Sequence, residues 1–230
     1  MIFDPVYLAI LAVAGLFSLV TSMRVKSCFK KWDRIPTASG LTGAEVAREI
    51  LRQSGIFDVQ VERVSGFLSD HYDPSTRTLR LSPGVYGGRS VAAAGVAAHE
   101  VGHALQHARG YWPLQVRTVM APAAALGSNL STVAILAGIF LGSLGLVKIG
   151  VLFFALMVAF VIITLPVEFD ASNRAKRLLP EMGLVVGAQN QGVSAVLNAA
   201  AMTYVAGAVA AIGQLLYWLM ASGMLGGSDE

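Results

Sequence analysis

Residues 97–107 of the chain read AAHEVGHALQH, and within them His99, Glu100 and His103 have the types and spacing that hydrolysis of an amide bond requires. On a helix, positions four apart project from one face about a turn apart, so both imidazoles can reach a single metal ion at ~2.0 Å from each nitrogen. Glu100 stands beside them, placed to take a proton from an attacking water and pass it to a departing amine. The flanking Ala97, Ala98, Val101, Gly102, Ala104 and Leu105 are uncharged and mostly small, as in a helix buried beneath a cleft. The competing reading puts three polar residues on the wet face of an amphipathic helix. It conflicts with these neighbours, because unpaired polar groups among them are costly to bury.

The helix carrying this motif begins near Ser90, and the rest of the chain must position it. Of 230 residues, 55% are hydrophobic and 13% charged, against about 25% charged in an average soluble domain. Composition therefore excludes both an ordinary water-soluble globule and a disordered chain. The single cysteine, Cys28, excludes an internal disulfide and any multi-cysteine metal site, which leaves His and carboxylates as the metal ligands. A net charge of +3 is too small to argue for nucleic acid.

Four apolar stretches read as membrane spans: residues 5–21, 119–142, 149–167 and roughly 200–222. The first precedes Arg24, Lys26, Lys30, Lys31 and Arg34, the reverse of the charge order in a secretory signal peptide. Lys148 marks a short connection, so the second and third spans form a hairpin. The resulting organisation is a first span in 1–23, a water-facing part over 24–118, the hairpin in 119–167, a segment over 168–195, and a last span with an acidic tail in 196–230. Positive charge orients the chain. Thirteen Lys or Arg lie in 24–118, three in 168–195 and one at Lys148, which puts the first two parts in the cytoplasm and both termini outside.

Within the water-facing part, residues 42–53 have helical periodicity, and 58–64 alternate like a strand. Asp73, Pro74, Ser75 and Thr76 separate two extended runs, the second being a strand over 78–81. Were 76–82 an edge strand, an extended substrate could pair with it through main-chain hydrogen bonds.

A third protein ligand leaves the fourth metal position to water. It must share a compartment with the two histidines. Glu168, in LPVEFDASNRAKRLL, is the first acidic residue after the hairpin and sits at the cytoplasmic boundary. Asp170 is its rival, on a different face if the segment is helical, and otherwise a helix-start charge or a partner for Arg174.

The run HEVGHALQH, preceded by SDHYDP and LRLSPGVY and followed by GYWPLQVR and LPVEFDASNRA, resembles the YugP-type neutral zinc metallopeptidases, which are integral membrane proteins. The resemblance covers roughly residues 1–222. More distantly, the chain is similar to the HtpX and CAAX prenyl protease group, whose His-Glu-x-x-His helix is joined by a later Glu. The resemblance implies one catalytic Zn2+ on His99, His103 and Glu168, with Glu100 as general base. One departure matters: where the HtpX-like proteins have Asp four residues after the ligand Glu, this chain has Ser172, so a carboxylate supporting the ligands must come from elsewhere.

Other polar residues are less specific. His71 and Tyr72 can donate to the oxyanion of a tetrahedral intermediate, although a turn stabilised by Asp70 and Asp73 accounts for SDHYDP more simply. His107 reads as a surface or supporting residue, and Arg174 as a substrate-binding group or a partner of Asp170. Trp32, Trp112 and Trp218 sit near membrane boundaries, where indoles anchor.

The expected fold is mainly α: four transmembrane helices with a cytoplasmic α+β zincin-like metallopeptidase part. The expected activity is zinc-dependent endoproteolysis of membrane or membrane-associated proteins at the cytoplasmic side of a bacterial inner membrane, with protein or peptide substrates and the lipid bilayer as partners. Two alternatives stand beside it. One is a non-catalytic zinc-stabilised scaffold or binding module, the other an intramembrane metalloprotease whose motif helix lies within the bilayer; the apolar run around the motif, bounded by Arg89 and Arg109, is short for a span.

Overall fold

The computed structural model describes residues 4–225, so the acidic tail at Ser228, Asp229 and Glu230 lies outside the described residues. The elements, in chain order, are α1 (Pro5–Trp32), α2 (Gly43–Gln53), β1 (Gln60–Arg63), β2 (His71–Asp73), β3 (Thr78–Leu81), α3 (Pro83–Tyr86), α4 (Val91–Ala108), α5 (Trp112–Phe140), α6 (Leu144–Glu181) and α7 (Gln189–Ala221). They form two compact units. In described residues, one comprises 4–20, 116–165 and 203–225, and the other 21–115 and 166–202.

The first unit is helical. Among the described residues, four helices, α1, α5, α6 and α7, are long and apolar enough to cross a membrane. Its interior is a small cluster of Ile135, Val147, Val151, Tyr217 and Trp218, with the Tyr7 ring tilted against Tyr217 and Trp218 at 4.8 and 5.2 Å between ring centroids. Outward-facing Leu126, Leu130, Val133, Leu152 and Val209 are exposed, which suits a hydrocarbon surrounding and not water. The α5–α6 hairpin closes tightly because Gly138 and Gly150 have no side chain. A Cβ at Gly138 would meet the Val147 nitrogen at 2.7 Å, and one at Gly150 the Ile135 nitrogen at 2.9 Å.

Three sequence expectations shift here. Lys148 lies inside α6 and not in the connection, which is residues 141–143. The segment over 168–195 is mostly helix, with a connection only at 182–188, because residues beyond 167 keep a helical stripe of buried Glu168, Ala171, Ser172, Ala175 and Leu179 that carries α6 on to Glu181. Trp218 is buried, and Trp32 packs its ring against Gly192, leaving Trp112 as the exposed indole of the three.

The second unit is mixed. α2 begins with a capping box: the Glu45 amide donates to the Thr42 hydroxyl at 3.2 Å, and the Thr42 amide to the Glu45 carboxylate at 2.7 Å. Two otherwise orphaned amides are thereby satisfied. Its Val46, Ala47, Ile50 and Leu51 are buried in one core with Leu79, Leu81, Val85, Val101, Leu179 and Leu197. The sheet has the order β1-β3-β2, with β1 parallel and β2 antiparallel to β3. Asp73 holds the turn between β2 and β3 by accepting from the Ser75 amide and hydroxyl and the Thr76 hydroxyl at 2.9, 2.6 and 2.8 Å. The strand over 78–81 is therefore central and not an edge: β1 and β2 occupy both of its sides, so it offers no main chain to a substrate.

Candidate metal centre

The second unit holds every residue of the sequence motif. Ser90 is the N-cap of α4: its hydroxyl accepts from the Ala93 amide at 3.1 Å and donates to Asp33 at 2.7 Å. From there the helix is buried on most sides, because Ala92, Ala93, Ala94, Ala97, Ala98, Val101 and Ala104 present little bulk. Small residues let α6 come close. A Cβ on Gly102 would stand 2.7 Å from the Ala171 carbonyl oxygen, so glycine is what permits this approach, and Glu168 lies one turn before Ala171 on the same helix.

Glu168 Oε2 lies 3.2 Å from His99 Nε2 and 3.7 Å from His103 Nε2. Among the described residues, one ligand atom from each of the three falls within 4.8 Å of the others. Three atoms each ~2.1 Å from a tetrahedrally coordinated zinc stand roughly 3.4 Å apart, and the two distances from Glu168 bracket that spacing. Two imidazoles and one carboxylate also suit zinc chemically. Glu168 is 2% exposed and His103 7%, which leaves access to the cluster chiefly past the more open His99.

Both histidines are held from behind. The Ser172 hydroxyl pairs with His99 Nδ1 at 3.1 Å, and Gln106 Oε1 with His103 Nδ1 at 3.0 Å. The other ring nitrogen of each faces Glu168, the arrangement in which outer partners orient metal-binding imidazoles. Gln106 was not singled out from the sequence. The available signal was a side-chain amide three residues after His103 on a helix whose other neighbours are apolar. Ser172, where the chain departs from the HtpX-like pattern, hydrogen-bonds the ring of His99.

Electrostatics distinguish the acids. Burial pushes the Glu100 carboxyl above the usual glutamate range, and the neighbouring His99 and His103 only partly offset this. For His103 burial acts downwards, but the hydrogen bond and charge of Glu168 outweigh it and raise the imidazole's pKa. A glutamate that holds a proton more readily than usual, one residue from a metal-ligand candidate, has the property a proton shuttle needs.

The remaining candidates have partners elsewhere. Asp170 accepts from Gln106 Nε2 at 2.8 Å and from Arg174 Nε at 2.5 Å, and is not in the His-His-Glu cluster. Arg174 also lies over the Tyr111 ring, 5.8 Å from its centroid. His71 Nδ1 pairs with the Ser69 carbonyl at 2.9 Å. The Tyr72 hydroxyl pairs with His107 Nδ1 at 2.9 Å. Asp70 accepts from the Ser82 amide and hydroxyl at 2.7 and 3.0 Å, so it fastens the start of α3 while Asp73 alone builds the turn.

Residues 7–223 match the family described as "Putative neutral zinc metallopeptidase". Among curated proteins, the "Putative membrane protease YugP" of Bacillus subtilis (strain 168) is 46% identical over 220 residues, which is 96% of this chain and 96% of that protein. No solved structure matches. With the match running through all four candidate spans and through His99, His103 and Glu168, the chain belongs to the neutral zinc metallopeptidase family of membrane proteins.

Proposed function

We propose that the protein is an endopeptidase that uses one zinc ion, held by His99, His103 and Glu168, to cleave membrane or membrane-associated proteins on the cytoplasmic side of a bacterial plasma membrane. The observation that carries this reading is the Glu168 carboxylate at 3.2 and 3.7 Å from two imidazoles of a helix that also bears the buried Glu100. Zinc, when bound, supplies a Lewis acid that polarises the scissile carbonyl and makes nearby water more acidic. Glu100 accepts the proton of the water whose oxygen bonds to the carbonyl carbon. As the carbon–nitrogen bond breaks, the same carboxyl returns that proton to the departing amine. Ser172 and Gln106 keep the imidazoles turned so that their Nε2 atoms face Glu168.

In this reading residues 24–118 and 168–195 form the cytoplasmic zincin-like part, and 1–23, 119–167 and 196–230 the membrane part. Support comes from the lysine and arginine distribution. Membrane tethering restricts substrates to proteins in the bilayer or their tails beside it. The deciding experiment is Glu100→Gln. A peptidase retains stoichiometric zinc in this variant and loses turnover by roughly 100- to 10,000-fold, the range for removing a general base. A zinc-stabilised scaffold keeps its function, and that outcome would sink the enzymatic reading.

A further inference from the structure

His103 is the end point of a hydrogen-bonded chain that runs from α4 to α6. Gln106 is 0% exposed. Its Nε2 donates to the Val167 carbonyl at 2.8 Å and to Asp170 Oδ2 at 2.8 Å. Those two acceptors fix which way the amide faces, because flipping it would set Oε1 against a carbonyl oxygen and a carboxylate. Oε1 is thereby left pointing at His103 Nδ1, 3.0 Å away. An amide oxygen only accepts, so Nδ1 must carry the hydrogen, and the lone pair of the neutral ring sits on Nε2, the nitrogen facing Glu168. Asp170 is itself anchored by Arg174 Nε at 2.5 Å.

His99 is held differently. Its Nδ1 meets the Ser172 hydroxyl, which can donate or accept and so dictates no tautomer. The geometry points to Gln106, oriented by Asp170, as the positioning residue that sets the tautomer and ring angle of His103 for metal binding. This supplies, one residue removed, the supporting carboxylate that Ser172 does not provide. The inference rests on the proposed metal site.

The experiment measures the zinc dissociation constant of the purified full-length chain, stripped of metal and titrated against a competing zinc indicator. Loss of outer partners typically weakens metal binding by about 10- to 100-fold, and Gln106→Met is expected to fall in that range. Asp170→Leu removes the anchor and is expected to weaken zinc comparably. Asp170→Asn keeps an oxygen for both Gln106 and Arg174 and is expected to stay within about threefold of wild type; this variant also separates support from ligation, since an aspartate ligand would be lost with its charge. Because Asp170 acts through Gln106, the double variant Gln106→Met/Asp170→Leu is expected to be no weaker than Gln106→Met alone, whereas independent effects would add.

Wild-type affinity in both Gln106→Met and Asp170→Leu, or additivity in the double variant, overturns the inference. Should Gln106→Met not fold, the Asp170→Leu and Asp170→Asn pair decides alone, at a side chain that is 30% exposed. The parent reading fails separately: wild type would bind no zinc, or His99→Ala would bind it as tightly as wild type.

Discussion

Gly102 of α4 and Ala171 of α6 touch backbone to backbone: a methyl group on the glycine would lie 2.7 Å from the alanine carbonyl oxygen and 2.9 Å from its Cα. That contact sets the spacing at which Glu168 reaches both imidazoles. Gly102→Ala must push the helices apart, and overpacking of this kind costs about 1–3 kcal/mol. We expect a lower unfolding midpoint in detergent and loss of stoichiometric zinc. Gly95→Ala is the matched control, because its new methyl would meet Val193 at an ordinary 3.6 Å. Relief of mid-helix glycine is expected to add about 0.5–1 kcal/mol there. A Gly102→Ala protein with wild-type zinc content would show that close approach is dispensable.

Metal analysis of Glu168→Ala beside Asp170→Ala names the third ligand. Glu168→Ala is expected to lose bound zinc, whereas Asp170→Ala, at saturating zinc, keeps one ion per chain because Asp170 faces Gln106 and Arg174. The reverse pattern would transfer the ligand role to Asp170.

Orientation can be read by proteolysis. Arg89 and Arg109 flank α4 and are both exposed. Trypsin added to inside-out vesicles is expected to cut at both, and added to right-side-out vesicles at neither. Protection in both preparations would favour a motif helix sunk in the bilayer.

The α2 cap gives a pH signature. Hydrogen bonds from the Thr42 amide and hydroxyl hold the Glu45 carboxyl below the usual glutamate range. A depressed folded-state pKa means the stabilisation is complete above the unfolded value and disappears as pH falls through the folded one. Thr42→Ala is expected to cost about 1 kcal/mol at neutral pH. Melting curves of wild type and Glu45→Ala, which lacks the titrating carboxylate, should converge on acidification, whereas the Thr42→Ala gap persists because the hydroxyl's bond to the Glu45 amide does not titrate. A constant gap between wild type and Glu45→Ala would contradict the assignment.

The residues of the His-His-Glu cluster could be picked out from the sequence by local spacing for His99 and His103, and by one acidic charge after an apolar stretch for Glu168. The helix over 42–53 and the strand over 78–81 were legible for a similar reason, namely periodicity. What could not be read was long-range pairing. Nothing in residues 60–63 announces that they run parallel to β3, so the central place of that strand appears only in three dimensions. Residues 168–195 read from the sequence only as a segment between spans, yet Ala175 and Leu179 continue a buried stripe that shares one core with residues of α2 and α4 distant in sequence. Gln106 escaped notice because a buried amide is recognisable only once Val167 and Asp170 are seen to receive its hydrogens.

Sixty-nine positions separate His99 from Glu168, and α5 with much of α6 lies between them. Ribosomes deliver the imidazole pair first and the acid only after the intervening helices have been synthesised. A nascent chain arrested before residue 168 therefore lacks one corner of the His-His-Glu cluster. α5 and most of α6 are thus made before the His-His-Glu cluster can close.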